Sequence, residues 1–208
     1  MLPCKAVLRS PFMQVDQLRS NRGQHIDGPL LITPAAFGDD RGWFMESWNQ
    51  KKFDQAVGEA VTFSQDNHSR STRGVLRGLH YQLEPEPQAK LVRSSLGAIY
   101  DVAVDIRQGS ATFGQWVGAK LSAENKAQLW VPEGFAHGFL TLSEHAEVQY
   151  KARGFWNKAC ERALLWNDPT IAIDWPLDQL GSEAVSLSEK DADAALLATA
   201  ANRGDVFP

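Results

Sequence analysis

The chain has 208 residues, 43% hydrophobic and 22% charged, which fits one folded domain with a sizeable core and excludes a disordered or fibrous chain. A formal net charge of -4 without a basic block leaves no nucleic-acid footprint, and no apolar run approaches the length of a membrane span. The two cysteines, Cys4 and Cys160, have neither metal-ligand nor redox spacing and fit no disulfide framework, so the expected setting is reducing and cytoplasmic.

Residues 1–27 follow neither a helical nor a strand period and are expected to form an N-terminal extension. Lys5, Arg9, Asp16 and Arg19 interrupt their apolar residues, so no signal peptide is read there. From Pro29 onward, short apolar runs alternate with turn residues. Strands are predicted at 30–34, 43–48, 61–67, 75–82, 90–96, 98–107, 115–121, 128–132, 137–142 and 147–153. One short helix is predicted from Asn49 over 51–57. A second starts at Ser188, where Ser188-Glu189-Lys190-Asp191 resembles a capping box, and continues through the good helix formers of 192–198. Many short strands with few helical periods predict an all-β sandwich or jelly roll, with residues 28–208 as a single domain ending in a helical tail.

The densest polar cluster is Arg77-Gly78-Leu79-His80-Tyr81-Gln82, followed by Lys90. A strand histidine is a candidate general base because imidazole titrates near neutrality, although a lone His is as readily a core or surface residue. Strict alternation puts Leu76, Gly78, His80 and Gln82 on one face and Arg77 on the other. For Arg77 and His80 to share a pocket the strand must bulge, and Gly78 is the place for it. A second cluster, Pro132-Glu133-Gly134-Phe135-Ala136-His137-Gly138, has the Pro-x-Gly-x-x-His pattern found in cupins. The His-x-His that many cupins use for metal is here His80-Tyr81-Gln82, so the nitrogen ligand set is short by one and no metal is expected.

Tyr150 shares a mostly apolar face with Ala146, Val148 and Ala152 and is either a core tyrosine or a proton donor. Asp191 in the first helical turn is favoured there by helix electrostatics alone. Asp101 and Asp105 share one face of their strand, either solvated or supporting His137. Arg41, Arg77, Lys90 and Lys190 are candidate anion contacts.

Several segments together resemble the dTDP-4-dehydrorhamnose 3,5-epimerase family. They are Gly38-Asp39-Asp40-Arg41-Gly42-Trp43-Phe44-Met45-Glu46-Ser47, Gln65-Asp66-Asn67-His68-Ser69, Leu76-Arg77-Gly78-Leu79-His80-Tyr81-Gln82, Lys90-Leu91-Val92-Arg93 and Asp101-Val102-Ala103-Val104-Asp105-Ile106-Arg107. The similarity continues through Trp130–Phe139, Tyr150-Lys151, Leu165-Trp166-Asn167-Asp168-Pro169 and Ser188-Glu189-Lys190-Asp191, covering about residues 28–195 in order.

The resemblance implies a cupin-like jelly-roll barrel without metal or cofactor, a homodimer, and a dTDP-linked 4-keto-6-deoxyhexose as substrate. It implies His80 as the base, Asp191 as its partner, Lys90 at the enolate oxygen and Tyr150 as the proton donor from the opposite face. Arg41, Phe44, Glu46, Gln65, Asp66, Asn67, Arg77, Lys90, His137, Glu161 and Lys190 fall where the family contacts the nucleotide-sugar or supports the pocket. The implied reaction inverts carbons 3 and 5 on the way to dTDP-L-rhamnose. The competing classes are a single-carbon epimerase of the same fold, a metal-dependent cupin enzyme and a non-catalytic sugar-nucleotide-binding module. One departure stands out: Phe155-Trp156 replaces two tyrosines common in the family.

Overall fold

The computed structural model describes residues 13–208. In chain order the strands are β1 (Gln14–Arg19), β2 (His25–Thr33), β3 (Ala36–Asp39), β4 (Gly42–Met45), β5 (Gln65–Thr72), β6 (Leu76–Gln82), β7 (Lys90–Leu96), β8 (Ala98–Asp105), β9 (Trp116–Ser122), β10 (Gln128–Val131), β11 (Phe135–Thr141), β12 (His145–Ala152) and β13 (Glu161–Ala163). Helix α1 (Gln50–Val57) follows β4, and α2 (Glu189–Ala192) and α3 (Leu197–Asn202) lie in the C-terminal tail.

Two sheets face each other, a six-stranded one ordered β1-β2-β10-β7-β12-β5 and a five-stranded one ordered β13-β6-β11-β8-β9. The chain is therefore mostly β, a jelly-roll sandwich with short helices, as the alternation predicted. Between the sheets lies one apolar cluster, with Val92, Leu129, Val131, Ala146 and Val148 from one side against Ile99, Ala103, Val117, Leu121, Phe135 and Phe139 from the other. A second cluster covers the outer face of the five-stranded sheet, where Leu76, Leu79, Tyr81, Val102, Val104 and Leu140 meet Leu164, Ile171, Trp175, Leu197 and Val206 of the tail. The tail is thus fixed against the back of the sheet that carries β6. Every residue of β11 is buried because both of its faces are covered.

The six-stranded sheet is covered outside by α1. Asn49 caps this helix by accepting from the Lys52 N–H, and Gly58 ends it in the left-handed conformation. Its Phe53 packs at centroid distances of 4.9–5.5 Å on Trp48, Phe63 and Trp130. The helix was expected here with this cap. By contrast, the strand predicted at 61–67 begins only at Gln65, because Val61 and Phe63 are drawn into this aromatic cluster.

The N-terminal stretch differs from the expected extension. Residues 14–19 pair antiparallel with β2 as the edge of the six-stranded sheet, and Ile26 is buried in the central cluster. One strand face at a sheet edge carries little alternation, which hides it in the sequence. Residues 1–12, with Cys4, Lys5 and Arg9, lie outside the described residues. The C-terminal helix is also interrupted: α2 ends at Ala192, and Leu165 N–H donates to the Ala195 carbonyl before α3 begins. Among the described residues no helix is long and apolar enough to cross a membrane.

Candidate active site

The site is organised by an irregularity in β6. His80 pairs with His137 of β11, but Arg77 pairs with Phe139, so Gly78 and Leu79 together oppose the single residue Gly138. This bulge turns Leu76, Leu79 and Tyr81 toward the rear core and leaves Arg77 and His80 on the other face. Gly78 has φ +122, and a Cβ there would lie 2.5 Å from Gly138 Cα and 2.7 Å from the His137 carbonyl oxygen. The bulge expected at Gly78 is present, and it solves the problem that strict alternation posed.

His80 Nε2 is 2.5 Å from Asp191 Oδ1. A carboxylate only accepts, so Nε2 carries the hydrogen in the neutral ring and Nδ1 keeps the lone pair. Asp191 stands in the first turn of α2, where Ser188 accepts from its backbone N–H, so the local cap and the His80 contact coexist. Burial alone would raise the Asp191 carboxyl, but its contacts with His80, Ser188 and the Gly78 backbone outweigh this and hold it below the usual range. Beside this pair is a second one: His137 Nε2 lies 2.8 Å from Asp101 Oδ1, with Asp101 fully buried. Asp101 and Asp105 are therefore not a solvated face. Asp105 is also buried and accepts from Arg107, Ser110 and Thr112.

The facing wall comes from the six-stranded sheet. Lys90 begins β7, is 8% exposed, and donates to the His80 carbonyl oxygen at 3.4 Å. Burial pushes its ammonium down to about 8, with Asp101 and Glu161 opposing and Lys190 adding to the fall. Its Nζ lies 6.0 Å from the centroid of the Tyr150 ring on the neighbouring β12. Burial raises the Tyr150 phenol above its ordinary value, with Arg77 lowering it and Glu161 raising it further. Tyr150 thus keeps its proton at neutral pH. On β5, Gln65 donates to Asn67, and Ser71 accepts from Arg77 Nε.

At the rim, Glu161 of β13 pairs with Lys190 of α2 at 2.7 Å, which with the nearby Trp156 side chain holds its carboxyl below the usual range against the effect of burial. Gln65 Oε1 accepts from the Trp156 backbone N–H. Phe155 and Trp156 are exposed at 64% and 53%, leaving their faces open to a ligand. A cavity of about 270 Å³ is lined by Arg77, His80, Ser186, Ser188, Lys190 and Asp191.

The structure does not bring every expected residue to this cluster. Asp66 alternates to the opposite face of β5 from Gln65 and Asn67 and pairs with Lys151 at 3.0 Å. Arg41 and Phe44 sit on the β3–β4 hairpin, which pairs only with itself, and line a separate cavity with Phe37, Asp39 and Trp43. Arg41 pairs with Asp39, and Glu46 with Lys52 of α1. Conversely, Ser71 and Trp156 contact Arg77 and Gln65 without being among the expected site residues, and Asp101 supports His137, the second of the two readings of its strand face. Asp101 was detectable, since only an inward-facing acid on an otherwise apolar strand needs a partner. Trp156 was visible only as a departure from two tyrosines.

Among the described residues no group of three His, Cys, Asp or Glu is arranged to hold a metal ion. The two histidines that a metal site would recruit each direct Nε2 to a carboxylate. What remains is a base with an ionised partner, a buried cation that reaches the base's own carbonyl, and a protonated phenol beside that cation. This set can remove a proton beside a carbonyl, hold the resulting oxyanion and return a proton from another direction.

Comparison with known proteins agrees with this chemistry. The family model described as dTDP-4-dehydrorhamnose 3,5-epimerase matches residues 23–199. The Pseudomonas aeruginosa dTDP-4-dehydrorhamnose 3,5-epimerase is 58% identical over 179 residues, covering 86% of this chain and 94% of that relative. A Legionella pneumophila dTDP-6-deoxy-D-glucose-3,5-epimerase, solved with dTDP-4-keto-L-rhamnose, superposes with a TM-score of 0.80 at 48% identity, covering 89% of this chain and 94% of that one. A 3'-monoepimerase, ChmJ of Streptomyces bikiniensis, solved with dTDP-quinovose, gives 0.81 at 34% identity, covering 88% and 90%. The chain belongs to the dTDP-4-dehydrorhamnose 3,5-epimerase family.

Proposed function

We infer that this protein is an isomerase that inverts carbons 3 and 5 of dTDP-4-keto-6-deoxyglucose, giving dTDP-4-keto-L-rhamnose for dTDP-L-rhamnose synthesis. The observation that carries the reading is the His80–Asp191 pair at 2.5 Å, with Lys90 Nζ 3.4 Å from the His80 carbonyl oxygen and 6.0 Å from the Tyr150 ring centroid. His80 Nδ1 takes the proton alpha to the ketone, and Asp191 stabilises the imidazolium that results. Lys90 donates to the carbonyl oxygen as it becomes an enolate, the electrostatic contribution that usually dominates such steps. Tyr150, on the sheet opposite His80, delivers a proton to the other face of the carbanion, which inverts the centre. No hydride acceptor enters, because the electron pair returns to the carbon that released it.

The double reaction is favoured over the single one by the 58% identity to a 3,5-epimerase against 34% to the monoepimerase. Gln65, Asn67, Arg77, His137, Glu161 and Lys190 surround the sugar and diphosphate in this reading. A cytoplasmic setting fits a nucleotide-sugar enzyme whose Cys160 is a free, buried thiol. A homodimer also fits: Phe37, Trp43 and Phe44 are exposed at 57%, 61% and 71% on one hairpin, and a second copy would cover them.

The test is proton NMR of the substrate with enzyme in deuterated water. Loss of both the carbon 3 and carbon 5 proton signals is expected. Loss at only one carbon would establish a monoepimerase, and binding without exchange would leave a non-catalytic module.

A further inference from the structure

Asp101 is the most deeply buried charged side chain at the site, with one oxygen on His137 Nε2 at 2.8 Å and the other without any hydrogen-bond partner. A buried carboxylate oxygen left unpaired costs free energy unless something nearby uses its charge. We propose that Asp101, held in place by His137, is a positioning residue that keeps Lys90 in its ammonium form for the enolate step. The inference rests on the epimerase reading only for what the Lys90 charge accomplishes.

The charged and titratable groups around Lys90 are Asp101 on β8, His137 on β11, His80 on β6, Tyr150 on β12, Glu161 on β13 and Lys190 on α2. Two of these are anionic neighbours of Lys90, and they differ in what else claims their charge. Glu161 is partly buried but lies against Lys190 at 2.7 Å, a cation that offsets much of its field, whereas Asp101 is fully buried. Among the described residues Asp101 has no Lys or Arg within salt-bridge distance, and its field acts through a water-poor interior where charge interactions are strong.

His137 is the reason that field survives. Its own burial pushes the imidazole pKa down, with Asp101 opposing, so the ring stays neutral at physiological pH and donates one N–H. An imidazolium there would cancel Asp101. A neutral ring fixes the carboxylate without discharging it. Lys90, buried and with only a long 3.4 Å contact to a carbonyl, would otherwise lose its proton as burial dictates. The lysine is thereby set between two demands: dry enough to act strongly on an oxyanion, yet still charged.

The experiment compares wild type with Asp101→Asn by two readouts. Lysine side-chain NMR on isotopically labelled protein, with the Lys90 signal identified by its loss in Lys90→Arg, follows the titration without substrate. The pH profile of kcat/KM follows its consequence in turnover. Removing the negative charge disfavours the ammonium, so the Lys90 titration and the alkaline limb of the profile both move down by roughly one pH unit. Glu161→Gln moves either by much less. If Asp101→Asn does not fold, Asp101→Ser, which keeps an acceptor for His137, takes its place. A folded variant in which neither the Lys90 titration nor the alkaline limb moves overturns the proposal, as does a larger shift in Glu161→Gln. A purely packing role for Asp101 lowers turnover equally at every pH. Because the NMR titration needs no substrate, failure of the epimerase reading would leave this result interpretable.

Discussion

At the residue scale, the Asp191 carboxylate serves His80 while the Asp191 backbone serves the helix cap. Asp191→Asn therefore separates the two roles. The amide preserves the turn and the shape, but it cannot stabilise the imidazolium, and it can present an N–H to Nε2 and force the wrong tautomer. Turnover is expected to fall about 10²–10⁴-fold with nucleotide affinity unchanged by calorimetry, the range found for positioned acid–base groups. A loss confined to affinity would remove Asp191 from the chemistry.

Tyr150→Phe isolates the other half of the reaction. His80 and Lys90 still form the enolate, so solvent deuterium still enters the substrate, but reprotonation returns to the face it left. Exchange is expected to outlast inversion by at least about tenfold, within the usual contribution of one acid. NMR of exchange and product in the same sample reads the ratio. If the two rates fall together, the phenol is not the opposite-face acid.

At the element scale, β6 shows what allows two nearby polar residues to share a pocket. The bulge opposes Gly78 and Leu79 to Gly138, and a side chain at Gly78 would press into backbone at 2.5 Å. Gly78→Ala combines an unfavourable positive φ with overpacking against atoms that cannot rotate away, and is expected to cost about 2–4 kcal/mol. A urea titration measures it, and a variant as stable as wild type would mean that the strand can slide. The need for this bulge was legible in the sequence, because Arg77 and His80 are an odd number of residues apart and strict alternation separates them. The cap at Asn49 and the Tyr150 face were legible for similar local reasons. Other elements were not. The edge strand Gln14–Arg19 takes its place from pairing with β2, and β13 from pairing with β6, neither of which leaves a local periodic mark. Asp66 pairs with Lys151 and stands apart from His80; a motif read residue by residue ignores that adjacent strand residues face opposite ways.

At the scale of the whole molecule, the central question is why residues matched to nucleotide contact stand apart from His80. Arg41 and Phe44 project on a hairpin with Phe37 and Trp43, while the base, the cation and the phenol stand on strands of the two main sheets. Motif matching identified these residues but could not say which copy of the chain they would serve. An exposed apolar hairpin of this kind is costly for a monomer and useful to a pair of chains. If two copies exchange hairpins, Arg41 and Phe44 of one chain can complete the nucleotide site of the other. Sedimentation velocity is then expected to give twice the chain mass. Replacing Phe37 and Phe44 together by Ser should shift the protein toward the chain mass and weaken nucleotide binding in parallel, by at least about tenfold if either aromatic is an interface anchor. Among the described residues the hairpin makes no sheet with the rest of its own chain, so the double variant should keep the melting behaviour of the barrel. Binding that stays intact in a monomeric variant would mean that each chain completes its own site, and that Arg41 and Phe44 have no part in it.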